Sequence, residues 1–132
     1  MLIHFPTALL PMDLVLSYLF YKTGNENFGS AAFYCLAAGV GLGLLSGITG
    51  LIDFLTIKDK AAIGAALIHG GINLTAILVF SVFAYKSWNL YPQIQLPTFA
   101  VLMIKLATVI FIFVGNYLGG KLILKHHIAI ES

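Results

Sequence analysis

The chain has 132 residues, 60% of them hydrophobic and 9% charged, with a mean hydropathy of +0.98 and a formal net charge of +2. Soluble domains carry roughly 25% charged residues, so this composition predicts an integral membrane protein made almost wholly of spans and short loops, with no room for a separate soluble domain. The small charge excludes a nucleic-acid partner, the all-lysine basic set excludes arginine-built clamps for phosphate or carboxylate, and the lone Cys35, an apolar-packed thiol, excludes an internal disulfide.

The N-terminus lacks the basic stretch of a cleavable signal, so the first apolar run counts as a mature span. Span one covers about 5–21. Pro6 suits a first helical turn, Pro11 should kink the helix, and Asp13 lies mid-span. The polar segment 22–29 reads as a turn. Span two covers about 30–57, with Gly39, Gly43 and Gly47 at four-residue spacing, then Ser46, Gly50 and Asp53. Two overlapping GxxxG units let another helix approach closely, either within the chain or in a homodimer through the Gly39/Gly43/Gly47 face. The turn at Lys58, Asp59 and Lys60 suits a tight hairpin between helices.

Span three, about 61–85, carries little that is polar besides His69 and Asn73. These are four residues apart and share one helix face. An ionisable group in an apolar span raises a functional-site hypothesis. Tyr85, Trp88 and Tyr91 follow as an interfacial aromatic belt. Span four covers about 97–124, with Lys105 inside and Gly115, Asn116, Gly119 and Gly120 near its end; the tail holds His126 and His127. Four spans with short loops predict an all-α, antiparallel four-helix bundle crossing the membrane up-down-up-down. Call the side bearing both termini and the 58–60 turn side A, and the other side B. Side A has more lysines flanking its helix ends, which by the positive-inside rule points it to the cytoplasm.

Depth can be compared at ~1.5 Å per helical residue. His4 lies 17 residues from Tyr21, and His69 lies 17 residues from Lys86. Both are therefore roughly 25 Å from side B. Gly47 and Gly115 fall in the same layer, so two histidines and two glycines from four helices share one height. The same comparison puts Asp13 and Lys105 roughly 12 Å from side B. Opposite charges at one depth in lipid should pair; a proton relay and a snorkelling lysine are the other readings. Span one is short, so His4 should sit at the floor of a cup open to side A.

Imidazole ligates haem iron, zinc or copper. Two histidines on different helices at one depth suit axial ligation of a haem lying edge-on, with Gly47 and Gly115 leaving room for a flat macrocycle. Asn73 could hydrogen-bond a propionate or a ring nitrogen of His69. No C-x-x-C-H is present, so any haem is b-type. The other readings are histidines that only make hydrogen-bonded helix contacts, and a metal or quinone site. His126 as a third imidazole, with His4, His69 and Asp53, would suit zinc or iron. Otherwise His126 belongs to a solvated tail and Asp53 anchors a helix end.

His4-Phe5-Pro6 opening span one, Thr49 to Asp53 closing span two, His69-x-x-x-Asn73, and Leu118-Gly119-Gly120 with His126 beyond it together resemble the bacterial integral-membrane family called domain of unknown function 2231. The resemblance covers nearly the whole chain. Members usually carry a further His-Pro just before the His-Phe-Pro element, which this chain does not contain. Relatives fused to c-type cytochrome or Rieske-type domains imply a setting in respiratory electron transfer in the bacterial inner membrane. By position, the matching residues are His4, Asp53, His69, Asn73 and His126. The resulting expectation is a haem b-binding electron carrier or subunit of a membrane redox complex with a cytochrome-type partner. A structural membrane anchor and a His/Asp metal or transport protein are the alternatives. Hydrolase chemistry has no support, because no nucleophile–base pair, phosphate loop or paired catalytic carboxylates occur.

Overall fold

In the computed structural model the described residues are 4–57 and 60–126, with side chains at 5–57 and 63–120. They form four helices: α1 (His4–Thr23), α2 (Glu26–Thr56), α3 (Lys60–Leu90) and α4 (Phe99–His126). α1 and α3 overrun the expected spans at both ends, α2 starts earlier and α4 is shifted two residues later, because hydropathy marks the bilayer core, whereas caps mark helix ends. Gly24 takes φ +67° and its N–H returns to the Phe20 carbonyl at 2.8 Å, ending α1. Asn25 caps α2 by accepting from the Asn27 N–H at 3.0 Å, with Glu26 in the favourable first turn. The polar stretch read as a turn over 22–29 therefore shrinks to Gly24 and Asn25, with 22–23 closing α1 and 26–29 opening α2. Thr98, not Pro97, stands at the start of α4, its hydroxyl accepting from the Val101 N–H at 3.3 Å.

Among the described residues, three helices are long and apolar enough to cross a bilayer: Glu26–Thr56, Ile63–Leu90 and Phe99–Gly120. At 31 residues, α2 and α3 are each about 46 Å long, against a hydrocarbon core of about 30 Å.

Contacts between neighbours run in opposite sense along the chain. Phe20 meets Gly29 and Leu10 meets Gly39, joining α1 to α2. Ile77 of α3 fills the space beside Gly43 of α2, and Phe33 stacks on Tyr91 with centroids 5.0 Å apart. Ile72 and His69 of α3 lie against Gly115 and Gly119 of α4. Asp13 and Thr7 of α1 meet Lys105 and Asn116 of α4. The main apolar core is Leu10, Leu36, Val40, Ala76, Ile77, Phe80, Val109 and Ile112. Buried residues on α2 stop at Ser46. Beyond that point α2 exposes Ile48, Leu51, Ile52 and Leu55, and α3 exposes Leu67, Ile68 and Leu74. Such surfaces suit hydrocarbon surroundings rather than water.

The glycine ladder of α2 does not form one outward face. Gly39 and Gly43 are covered by Leu10, Pro6 and Ile77 of the same chain, and only Gly47 opens onto free space. Each four-residue step turns about 40° beyond a full rotation, so Gly47 points about 80° away from Gly39.

Candidate functional site

His69 is positioned by close packing of α3 on α4. Gly115 and Gly119 are both buried. An added Cβ at Gly119 would stand 2.6 Å from His69 Cε1, so the imidazole rests directly on the α4 backbone. The ring's Nδ1 is 2.6 Å from the Gly115 carbonyl oxygen. A carbonyl can only accept, so Nδ1 carries the proton and donates, and the lone pair of a neutral ring sits on Nε2. Asn73 braces this arrangement one turn along α3. Its Nδ2 donates to the His69 carbonyl at 3.0 Å and lies 3.4 Å from Nε2. It also lies 3.2 Å from Nδ1, where both groups are donors and the approach is a contact only.

His69, Asn73 and Gly115 come together. The space that Gly115 leaves is taken by Ile72 and Asn73, 2.8 and 3.2 Å from where its Cβ would be, so it is not an open slot for a macrocycle. Gly47 is exposed and has no neighbour within 4 Å of its Cβ position, so it does not line a common cleft with Gly115. Asp53 is exposed near the end of α2, where its carbonyl accepts from the Thr56 hydroxyl at 2.7 Å. The side chains of His4 and His126, and all of His127, lie outside the described residues. The backbone still fixes the height of His4. Asn116 Nδ2 donates to Thr7 Oγ1 at 3.1 Å. His4 is three residues before Thr7 and Gly119 is three after Asn116, each about 5 Å away along its helix and toward the same end. His4 therefore begins α1 level with Gly119, on which the His69 ring rests. Among the described residues, no three of His, Cys, Asp or Glu gather as a metal site.

The second polar site is the pair expected from depth. Lys105 Nζ lies 2.8 Å from each oxygen of Asp13, and both residues are buried. The contact to Oδ1 has hydrogen-bond geometry, and that to Oδ2 is an ion-pair contact. Ser17 completes the cluster, accepting from Lys105 at 3.0 Å and donating to Asp13 Oδ1 at 3.2 Å. Sequence reading missed Ser17, although its place four residues after Asp13 put it on the same helix face. It also missed the Tyr34–Tyr91 hydroxyl pair at 3.0 Å, which ties α2 to the segment after α3. That pair joins residues 57 apart, and no local pattern announces it.

The family model described as "Predicted membrane protein (DUF2231)" matches residues 1–132. Over 85 residues the chain is 33% identical to "Nucleoside transporter 1" of Plasmodium berghei (strain Anka), a match covering 61% of this chain and 21% of that protein. The chain thus spans about a fifth of that relative's length. No solved structure matches it.

Proposed function

The chain belongs to the DUF2231 family of predicted membrane proteins, and we propose that it is a haem b-binding electron-transfer subunit of a membrane redox complex, with all four helices crossing the bilayer up-down-up-down. The observation that carries this reading is the Nδ1–H bond from His69 to the Gly115 carbonyl. Histidines that ligate metals commonly donate their second nitrogen to a carbonyl or carboxylate, which fixes the ring and directs the other nitrogen at the metal. His69 would hold the haem through Nε2, with Asn73 giving up its long contact there. His4, from the level start of α1, would be the second residue to hold it. A bound haem would supply one-electron transfer between ferric and ferrous iron.

Purification from cells supplied with haem tests the proposal. A red protein with a Soret band that is lost in His69→Ala supports it, and a colourless wild-type protein overturns it. The second reading is a non-catalytic membrane subunit. It is favoured by the contact of both ring nitrogens with protein atoms, which a packing histidine also makes, and a colourless but folded protein would select it. Transport of a nucleoside-like solute rests on the partial likeness to the transporter alone, and uptake into vesicles carrying the purified chain tests it.

A further inference from the structure

A second cavity-linked site lies at the opposite end of the bundle from His69. A cavity of about 210 Å³ runs in from side B, between the segment joining α3 to α4 and the ends of α1 and α2. Lys86, Gln93 and Gln95 line its mouth, and Asp13, Ser17 and Lys105 lie at its floor. The polar groups at both ends and its volume give several waters room and hydrogen-bond partners. Its floor is ten residues below the end of α1 at Thr23, about 15 Å along the helix. A buried ion pair costs desolvation that its own attraction seldom repays. Asp13 is 0% exposed and Lys105 5%, so the pair closes the floor of the cavity, and water from above meets the carboxylate when the ammonium moves aside.

We propose that Asp13 is a proton-binding site fed by water from side B, with Lys105 as its exchangeable counter-charge. In the resting pair, carboxylate and ammonium cancel. A hydronium arriving through the cavity gives its proton to an Asp13 oxygen and leaves as H2O, and the cluster gains one positive charge. Lys105 has a partner ready for that state. Its Nζ already donates to Ser17 Oγ and stands 5.8 Å from the centroid of the Phe83 ring, a distance at which a cation is attracted to an aromatic face. The ammonium can shift toward Ser17 and Phe83 and uncover the carboxylate without becoming unsolvated. The titratable groups around Asp13 are Lys105 on α4, Cys35 on α2 and Lys86 of α3 at the mouth. This site does not depend on a haem at His69. Along α4, Gly119 is 14 residues from Lys105, about 21 Å.

Infrared difference spectra of the full-length protein in lipid, taken across a pH titration, test the proposal. Wild type should show a buried carboxylic C=O band that shifts on transfer to D2O, is missing in Asp13→Asn, and falls about tenfold per pH unit on the alkaline side of its midpoint. Lys105→Gln should keep more of that band than wild type at the same alkaline pH. Difference spectra that are the same in wild type and Asp13→Asn would overturn the proposal. A second measurement does not rely on the charged variants folding. In a Cys35→Ala background, Val101→Cys on the cavity wall should react with a small membrane-impermeant thiol reagent added from side B; an inert thiol there means that the cavity does not open to side B and also overturns it.

Discussion

Replacing Gly119 with alanine puts a methyl group where the His69 ring now lies. The new Cβ would stand 2.6 Å from Cε1 and 2.7 Å from Nδ1, well inside van der Waals contact. The ring cannot slide far, because its Nδ1–H is bonded to Gly115 at 2.6 Å on the same helix. Overpacking a close contact costs about 1–3 kcal/mol, and losing the hydrogen bond about 1 kcal/mol more. Alanine returns about 0.8–1 kcal/mol through its better helix propensity. The net expectation is a loss of about 1–3 kcal/mol for Gly119→Ala. In a His69→Ala background the clash and the hydrogen bond are both gone, so the same change should stabilise by up to about 1 kcal/mol. The coupling between the two positions is then about 2–4 kcal/mol, at or above the upper end for touching residues. Unfolding in mixed micelles with increasing dodecyl sulfate, followed by the fluorescence of the single tryptophan, Trp88, measures both single variants and the double. An equal cost for Gly119→Ala in both backgrounds would show that His69 does not rest on Gly119, and the tautomer assigned to the ring would lose its basis.

What could be read from the sequence follows from which physical terms are local. Charges in an apolar span must be paired, and depth is counted along the chain, so Asp13 and Lys105 could be matched before any contact was known. The shared face of His69 and Asn73 likewise follows from helical period alone. Glycines are different. A missing Cβ says that something approaches, but not what, and so Gly115 could be read as an open slot when Ile72 and Asn73 fill it. Strict spacing misled for Gly47 because four residues overshoot one turn and α2 has no buried neighbours beyond Ser46. Helix limits were missed at Asn25 and Thr98 because capping residues are polar and vanish in a hydropathy profile. The level of His4 with the His69 ring was legible as a count of residues, and the Thr7–Asn116 bond supports the same height through a neighbouring helix.

The remaining expectations concern the charge pair and the glycines. Lys105→Gln should cost about 3–5 kcal/mol at alkaline pH, where it strands a buried carboxylate, and less at lower pH, where Asp13 takes a proton. Asp13→Asn should cost less, because the ammonium keeps Ser17 and Phe83, and the double variant should recover most of the Lys105→Gln loss. The same micelle titration reads all three, and equal losses in Lys105→Gln and the double variant would mean the charges do not interact. Gly39→Ala should destabilise, since its Cβ would meet Leu10 Cδ2 at 2.7 Å and Leu9 Cβ at 3.3 Å, and α1 would have to move off α2. Gly47→Ala meets nothing within the chain, so in a monomer it should be neutral or stabilise by up to about 1 kcal/mol. That asymmetry distinguishes lipid from protein as the neighbour of the outer α2 surface. Hydrocarbon tails yield to a methyl group at little cost, but a second helix packed on Gly47 would be pushed outward, as at any small-residue crossing. Self-association measured in lipid vesicles should therefore be unchanged by Gly47→Ala if lipid covers this surface, and a fall in association, with stability of the monomer retained, would restore Gly47 as a contact between copies.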